Sequence, residues 1–391
     1  IVKKKILIVG GGMAGCASAH VLSKFKDFDI TIIDKMPFLG AGVRTSWYAG
    51  HPYTFGPRHI LTQNLEVYSF LNKINPLRKM DMTYLSFVES DNQFYNFPMH
   101  TDDLKRMPDK KKIKNELKNR NLIKIQNSKN LEEYWINSVG KILYNKLVNN
   151  YNKKMWQVNN NKLIDTFGWS PKGATIKSGP KKAWQTSITA YPIKYNGYND
   201  FFDKVYKIKN VKIKLKTNFE VHNLKNKSFY INNKIKKFDI VINTISPDFY
   251  FKKNRDSLKY IGRDFYKIVM PTANVLPKKV SFLYYPNNEL FTRIVEFKKM
   301  TLHKSKTSLL GLEIPSKNGK HYPIPFKSEI KKAFKFINGF PKWFFSIGRA
   351  GTYKYAVDID DCIEQAIEVG KIINDDKYSS PFPLKKWEGL N

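Results

Sequence analysis

The residues best placed to do chemistry begin with three glycines, Gly10-x-Gly12-x-x-Gly15. In that spacing the first glycine allows a tight turn, the second lets backbone amides approach a pyrophosphate, and the third lets a helix pack closely on a strand. The chemistry is capture of a diphosphate, whose charge suits the free N–H groups and dipole of a helix N-terminus. Asp34 follows at the distance at which an acid accepts a ribose hydroxyl. Further along stand Arg293, in Phe291-Thr-Arg-Ile-Val-Glu-Phe297, and Arg349, in Gly348-Arg-Ala-Gly-Thr-Tyr-Lys-Tyr355.

The elements around the glycines can position them. Residues 6–9 are a short apolar run, as a buried parallel strand requires. Residues 14–23 read as a helix, and 30–34 as a second strand ending in the acid. A second small-residue turn, Pro37-Phe-Leu-Gly-Ala-Gly42, follows. Flavoproteins with this nucleotide fold often lay such a turn against the cofactor, whereas a nicotinamide enzyme does not need it. The expected cofactor contacts are therefore Gly10, Gly12, Met13, Ala14, Gly15, Asp34, Lys35 and Gly42.

Residues 64–74 read as an amphipathic helix, and 82–88 and 93–97 as two strands. A mostly helical insert spans about 101–157. In it Asn130-x-x-Glu133 forms a capping box, and Leu131, Trp135, Val139, Ile142 and Leu143 mark one face of a helix running on to Trp156. Residues 166–183 hold three Gly and two Pro with no period, the signature of a functional or disordered loop. Val211, Ile213 and Leu215 alternate with lysines as a half-exposed strand, and 238–244 reads as a buried strand returning to the first sheet. A hairpin is expected from 280–285 and 290–297, another strand over 307–314, a strand over 343–349, and a helix from Asp358 onward.

The chain has 391 residues, 42% of them hydrophobic and 14% aromatic, enough for two or three globular domains. Its formal charge of +35 would ordinarily suggest nucleic acid. However, nine of its 68 basic residues are arginine and the rest are lysine spread along the whole chain. We read that as compositional bias and expect no specific nucleic-acid partner. No apolar run approaches the ~20 residues of a membrane span, and no secretory pattern is read ahead of the first strand. Cys16 and Cys362 make neither a disulfide framework nor a metal site, so a cytoplasmic location without a metal is expected.

Four stretches taken with the glycine turn resemble the UDP-galactopyranose mutase family, in the same order and at similar spacing, over residues 3 to 375. They are Phe55-Gly-Pro-Arg-His-Ile-Leu-Thr62, Tyr151-Asn-Lys-Lys-Met-Trp156, and the two arginine segments above. Asn96-Phe-Pro98, Thr244-Ile-Ser-Pro-Asp248 and Tyr322-Pro323 match more loosely. The resemblance implies an α/β fold: an FAD-binding Rossmann-like domain with an inserted helical bundle and a twisted antiparallel β-sheet domain. On that pattern the FAD-binding domain takes 1–80, 211–265 and 336–391, and the sheet domain 81–100 and 266–335. The helical domain takes 101–165, a mobile loop 166–183, and a sheet or linker segment 184–210. The resemblance also implies FAD active in its reduced form, and a small nucleotide-sugar substrate. The reaction converts UDP-galactopyranose, or a close analogue, to the furanose through a covalent bond between flavin N5 and the sugar. A homodimer and a place in cell-surface polysaccharide synthesis come with it.

By the same resemblance Arg293 matches a diphosphate arginine, and Lys177 is the nearest match to a second on the mobile loop. Tyr322 and Tyr355 match tyrosines that contact the diphosphate, Tyr151 and Trp156 the aromatics of the uridine and sugar pocket, and Asn96 its sugar side. Arg349 and Asp358 match residues beside the flavin. The chain departs from the family at the flavin face, where a Gly-x-His-x-x-His-Thr pattern reads Gly56-Pro-Arg-His-Ile-Leu-Thr62. Either Arg58 or His59 takes the first histidine position, and the second is lost. The competing expectations are an FAD oxidoreductase of the amine-oxidase type, a mutase acting on another nucleotide sugar, and a flavin-binding homologue without turnover.

Overall fold

A computed structural model describes residues 3–378 and Phe382; the rest of the segment assigned to 336–391 lies outside the described residues. Its first layer is a five-stranded parallel sheet. The order is Val211–Lys214, Phe28–Ile33, Lys4–Val9, Ile240–Asn243 and Phe344–Ser346. Ile6, Leu7 and Ile8 are fully buried at its centre, as a strand covered on both faces must be. The helix Met13–Leu22 starts at Gly12 and packs against the C-terminal helix Ile359–Asn374. A Cβ at Gly370 would lie 2.3 Å from the Val21 side chain, so that glycine permits the close helix crossing.

The second layer is a seven-stranded sheet. Its order is Tyr322–Pro323, Tyr260–Met270, Ser308–Ser316, Arg293–Glu296, Val280–Tyr284, Thr83–Val88 and Gln93–Asn96. Every pair is antiparallel except Val280–Tyr284 with Thr83–Val88. The helical insert, from Thr101–Arg106 to Asn150–Trp156, shares one core with the edge of this sheet. Trp135, Leu143, Leu147 and Trp156 pack with Ile261, Tyr322 and Ile324.

Several expectations need correction. The boundary at 265 cuts the strand Tyr260–Met270, whose whole length pairs within the antiparallel sheets, so the nucleotide domain gives way before Tyr260. The segment 184–210 belongs with the first layer. Ile188–Pro192 pairs with Ile60–Thr62 and Leu77–Lys79, while Phe201 and Phe202 join the core beside Cys16 and Leu22. The helix Lys327–Asn338 buries Ile337 against Phe340, Phe344 and Val241, again on the nucleotide side.

The long helix ending at Trp156 is interrupted. Gly140 takes φ +91°, and a Cβ there would lie 2.3 Å from the Glu116 carboxylate. That carboxylate accepts the Ile142 N–H where the helix restarts. The capping box is only half formed: Asn130 accepts the Glu133 N–H, but the Glu133 carboxylate accepts from the Lys129 N–H and the Asn130 side chain.

Candidate active site

The carboxyl ends of the parallel strands carry the glycine turn, where ligands of open α/β sheets bind. Gly10 turns with φ +100°, and a Cβ at Gly15 would lie 1.9 Å from the Gly10 carbonyl oxygen. The strand-to-helix approach therefore depends on that position being glycine. Gly12 has no side chain to cap the helix, and no acid stands in the first turn. A Cβ at Gly12 would meet only the Ala41 methyl at 3.7 Å, and one at Gly42 nothing within 4 Å. This cradle has uncapped N–H groups and room for a diphosphate, so the residues fit a dinucleotide. Met13 and Ala14 open the helix beneath it. Asp34, one residue past the second strand, accepts from the Gly11 N–H at 2.6 Å and the Met36 N–H at 2.8 Å. Lys35 beside it is exposed.

From the opposite side, Arg293 opens a strand of the antiparallel sheet and faces Glu313 in register. Its Nε and Nη2 donate to the two Glu313 oxygens at 3.1 and 2.7 Å. This bidentate fork fixes the guanidinium plane. The segment carrying Arg58 and His59 passes directly over the pair. Gly56 there has φ +86°, and a Cβ on it would lie 2.7 Å from the Glu313 Oε1. Arg58 Nε donates to the Gly42 carbonyl at 3.3 Å, tying this segment to the second small-residue turn.

Burial, reinforced by the charges of Arg293 and Arg58, pushes the His59 imidazole down to about 4. His59 Nε2 lies 3.2 Å from the Tyr84 hydroxyl, which accepts from Trp184 Nε1 at 3.2 Å. With a neutral imidazole, Tyr84 donates to Nε2, and the His59 proton sits on Nδ1.

The third wall is aromatic. Tyr322, at the sheet edge, lies 5.4 Å from Tyr355, ring centre to ring centre, and Tyr355 lies 4.8 Å from Trp156 and 5.1 Å from Trp169. Tyr151 meets Tyr284 at 5.4 Å. The motif lysine, Lys154, is structural: it donates to the carbonyls of Tyr285 and Phe291 at 2.7 and 2.9 Å. It thereby clamps the helix bearing Tyr151 and Trp156 to the hairpin that leads into Arg293.

Arg349 follows the last parallel strand. It lies 5.1 Å from the Tyr322 ring centre and 5.5 Å from that of Tyr355. It donates to the Val357 carbonyl at 2.8 Å and pairs with Asp358, the N-cap of the C-terminal helix. Burial works to raise the Tyr322 phenol, but Arg58, Arg263 and Arg349 outweigh it and lower its pKa. Burial raises the phenols of Tyr151, Tyr284 and Tyr355, which keeps them neutral donors.

The structure thus gathers Arg58, His59, Tyr151, Trp156, Arg293, Tyr322, Arg349, Tyr355 and Asp358 along the seam between the two sheets. Asn96 lies at its margin: its side-chain nitrogen donates to Asp103 at 2.7 Å, and the next ring, Phe97, meets Tyr284 at 5.3 Å. Lys177 lies elsewhere in the scheme. Its ammonium stands 4.8 Å from the Trp184 ring centre, on the His59 side, and its backbone bonds Met99 and Thr101. Arg263, Glu313, Tyr84, Tyr284 and Trp184 escaped sequence reasoning. For Arg263 a signal existed, because any arginine is rare in this lysine-rich chain. Among the described residues there is no group of three or more His, Cys, Asp or Glu that could hold a metal, and no helix is long and apolar enough to cross a membrane.

Comparison with known proteins fits this geometry. Residues 8–74 match the model of the NAD(P)-binding Rossmann-like domain. The chain is 23% identical to the dTDP-fucopyranose mutase of Escherichia coli, over 94% of its own length and 98% of the relative's. Its fold matches that of reduced UDP-galactopyranose mutase with a TM-score of 0.80 at 16% identity, covering 100% of this chain and 99% of the other. A putative protoporphyrinogen oxidase from Exiguobacterium matches with a TM-score of 0.72 at 14% identity, over 96% and 99% of the two chains. The UDP-galactopyranose mutase family model spans residues 146–355, more than half of the sequence and nearly all of the arginine and tyrosine wall, and this chain belongs to that family.

Proposed function

We propose that this chain is a flavin-dependent isomerase that interconverts the pyranose and furanose forms of a hexose carried on UDP or dTDP. The observation that carries the reading is the convergence of Arg58, Arg263, Arg293 and Arg349 with Tyr151, Tyr322 and Tyr355, with Arg58 bonded to the Gly42 carbonyl beside the dinucleotide cradle. The glycine turn, Asp34 and the Arg349–Asp358 corner would hold reduced FAD, which when bound would supply an electron-rich nitrogen as the nucleophile toward a sugar's anomeric carbon. The chain's own residues do the rest. Arg293, locked by Glu313, stabilises negative charge on the departing diphosphate without having to reorganise. Tyr322 and Tyr355 donate to the same oxygens and hold the nucleotide until it returns. Tyr151, Trp156 and Trp169 supply an apolar wall for the base and sugar. Neutral His59, its tautomer set by Tyr84, presents an N–H donor on the cofactor side.

The test uses purified protein reduced with dithionite and given UDP-galactopyranose and dTDP-fucopyranose in separate reactions. Furanose formation from either donor, detected by NMR of the separated products, is expected from the reduced protein only and without oxygen uptake. Conversion of neither donor by protein that carries reducible flavin, or oxygen-dependent loss of substrate, overturns the reading.

A further inference from the structure

Arg263 is a cation without an anion. Ile261, two residues before it, pairs with Tyr322 across the sheet edge, and the Arg263 guanidinium carbon lies 4.8 Å from the Tyr322 ring centre. Its Nη1 donates to the Gly262 carbonyl at 2.9 Å, its Nη2 touches the Met155 sulfur, and its Nε is buried without a partner. Among the described residues no carboxylate pairs with it. Arg44, Arg106, Arg255, Arg293 and Arg349, by contrast, each pair with an acid. Among the described residues Arg58, Arg78 and Arg120 also lack one, but Arg78 and Arg120 donate to the carbonyls of Met300, Leu117 and Ser138 away from the seam, whereas the charges of Arg263 and Arg58 act together on Tyr322 and His321.

At the seam four guanidinium groups meet two paired carboxylates, Glu313 and Asp358, so Arg58 and Arg263 remain uncompensated. Bringing two unpaired cations together in a part-buried wall is costly unless an anion completes it. The loop lysine is engaged elsewhere, because the Lys177 ammonium rests 4.8 Å from the Trp184 ring centre.

We infer that Arg263 binds the substrate's diphosphate, stacked on Tyr322, so that this chain's second diphosphate cation is a strand-fixed guanidinium rather than a lysine of the 166–183 loop. This rests on the function proposed above and deepens it. A strand position holds the planar fork in place between turnovers, so the grip does not wait on loop closure.

The test is titration of the full-length, FAD-loaded chain with UDP and dTDP, and with the nucleosides uridine and thymidine, by calorimetry. Arg263→Met is expected to weaken both diphosphates on the order of ten- to a hundredfold, the range for a charge-assisted bond. Nucleoside affinity and FAD content stay unchanged, which a merely structural role would not produce. Arg263→Lys, which keeps the charge and loses the fork, should recover part of the loss. Diphosphate affinity equal to the parent's in Arg263→Met overturns the inference, as does an equal loss for nucleosides. Should Arg263→Met fail to fold, an unweakened diphosphate affinity in Arg263→Lys and Arg263→Gln overturns it instead. A parent protein that loads FAD but binds neither diphosphate would count against the proposed function itself.

Discussion

His59 shows what burial does to a titratable group at this site. Its folded pKa lies near 4, below the ordinary value of 6.5, because burial and two guanidinium charges oppose a second proton. Between those values the unfolded chain binds the proton and the folded chain does not. Stability contributed by neutral His59 is therefore full above about pH 6.5 and is lost as pH falls toward 4. Urea midpoints measured across that range should fall more steeply for the parent than for His59→Gln, which keeps an acceptor for Tyr84 but does not titrate. Equal slopes would mean that the imidazole is solvated and already charged. Many residues that the structure gathers at the candidate site were legible at this scale, because their segments carry unusual residue types in a lysine-rich background. Arg293, Arg349, Tyr151, Trp156, Tyr322 and Tyr355 all lie in recognisable segments. Glu313 was not legible, since its partnership with Arg293 depends on strand register. Arg263 was missed because its strand was given no motif, although its rarity marked it.

At the scale of elements, the glycine turn separates two kinds of constraint that sequence alone merges. Gly15 is held by its own fold: any Cβ would strike the Gly10 carbonyl at 1.9 Å, and backbone on both sides cannot yield. Gly12 has φ −75°, a conformation open to any residue, and free space around it. Gly15→Ala should therefore lower the melting temperature of the flavin-free protein, in line with the ~1–3 kcal/mol cost of overpacking. Gly12→Ala should leave flavin-free melting unchanged yet weaken FAD binding, because its methyl occupies the space a diphosphate needs. Calorimetric melting with and without FAD reads both effects, and similar flavin-free melting of the two variants would refute the distinction. Periodicity located most strands and helices, since their apolar spacing is local. It did not locate the break at Gly140, because the group that fills the gap, Glu116, comes from another helix. Nor did it place Tyr260–Met270 in the second sheet, where pairing to Ser308–Ser316 decides membership.

For the molecule as a whole, the open quantity is the charge of +35. A surplus spread over the whole surface still creates a long-range field that attracts a doubly charged diphosphate, even with no basic stripe. The local cluster of arginines would act only within a few ångströms of a bound diphosphate, a range shorter than the screening length of ordinary salt. The two contributions separate by ionic strength. The screening length is about 10 Å at 0.1 M salt and about 3 Å at 1 M, so added salt removes the far field first. For the reduced enzyme, kcat/KM should fall on the order of tenfold over that interval, the lower end of steering effects, while kcat changes little because bound substrate already sits among fixed groups. Inhibition by the uncharged nucleosides, which feel no net field, should hold steady and serve as the control. A flat kcat/KM would show that the lysine surplus reflects composition alone and that capture depends entirely on the groups at the seam.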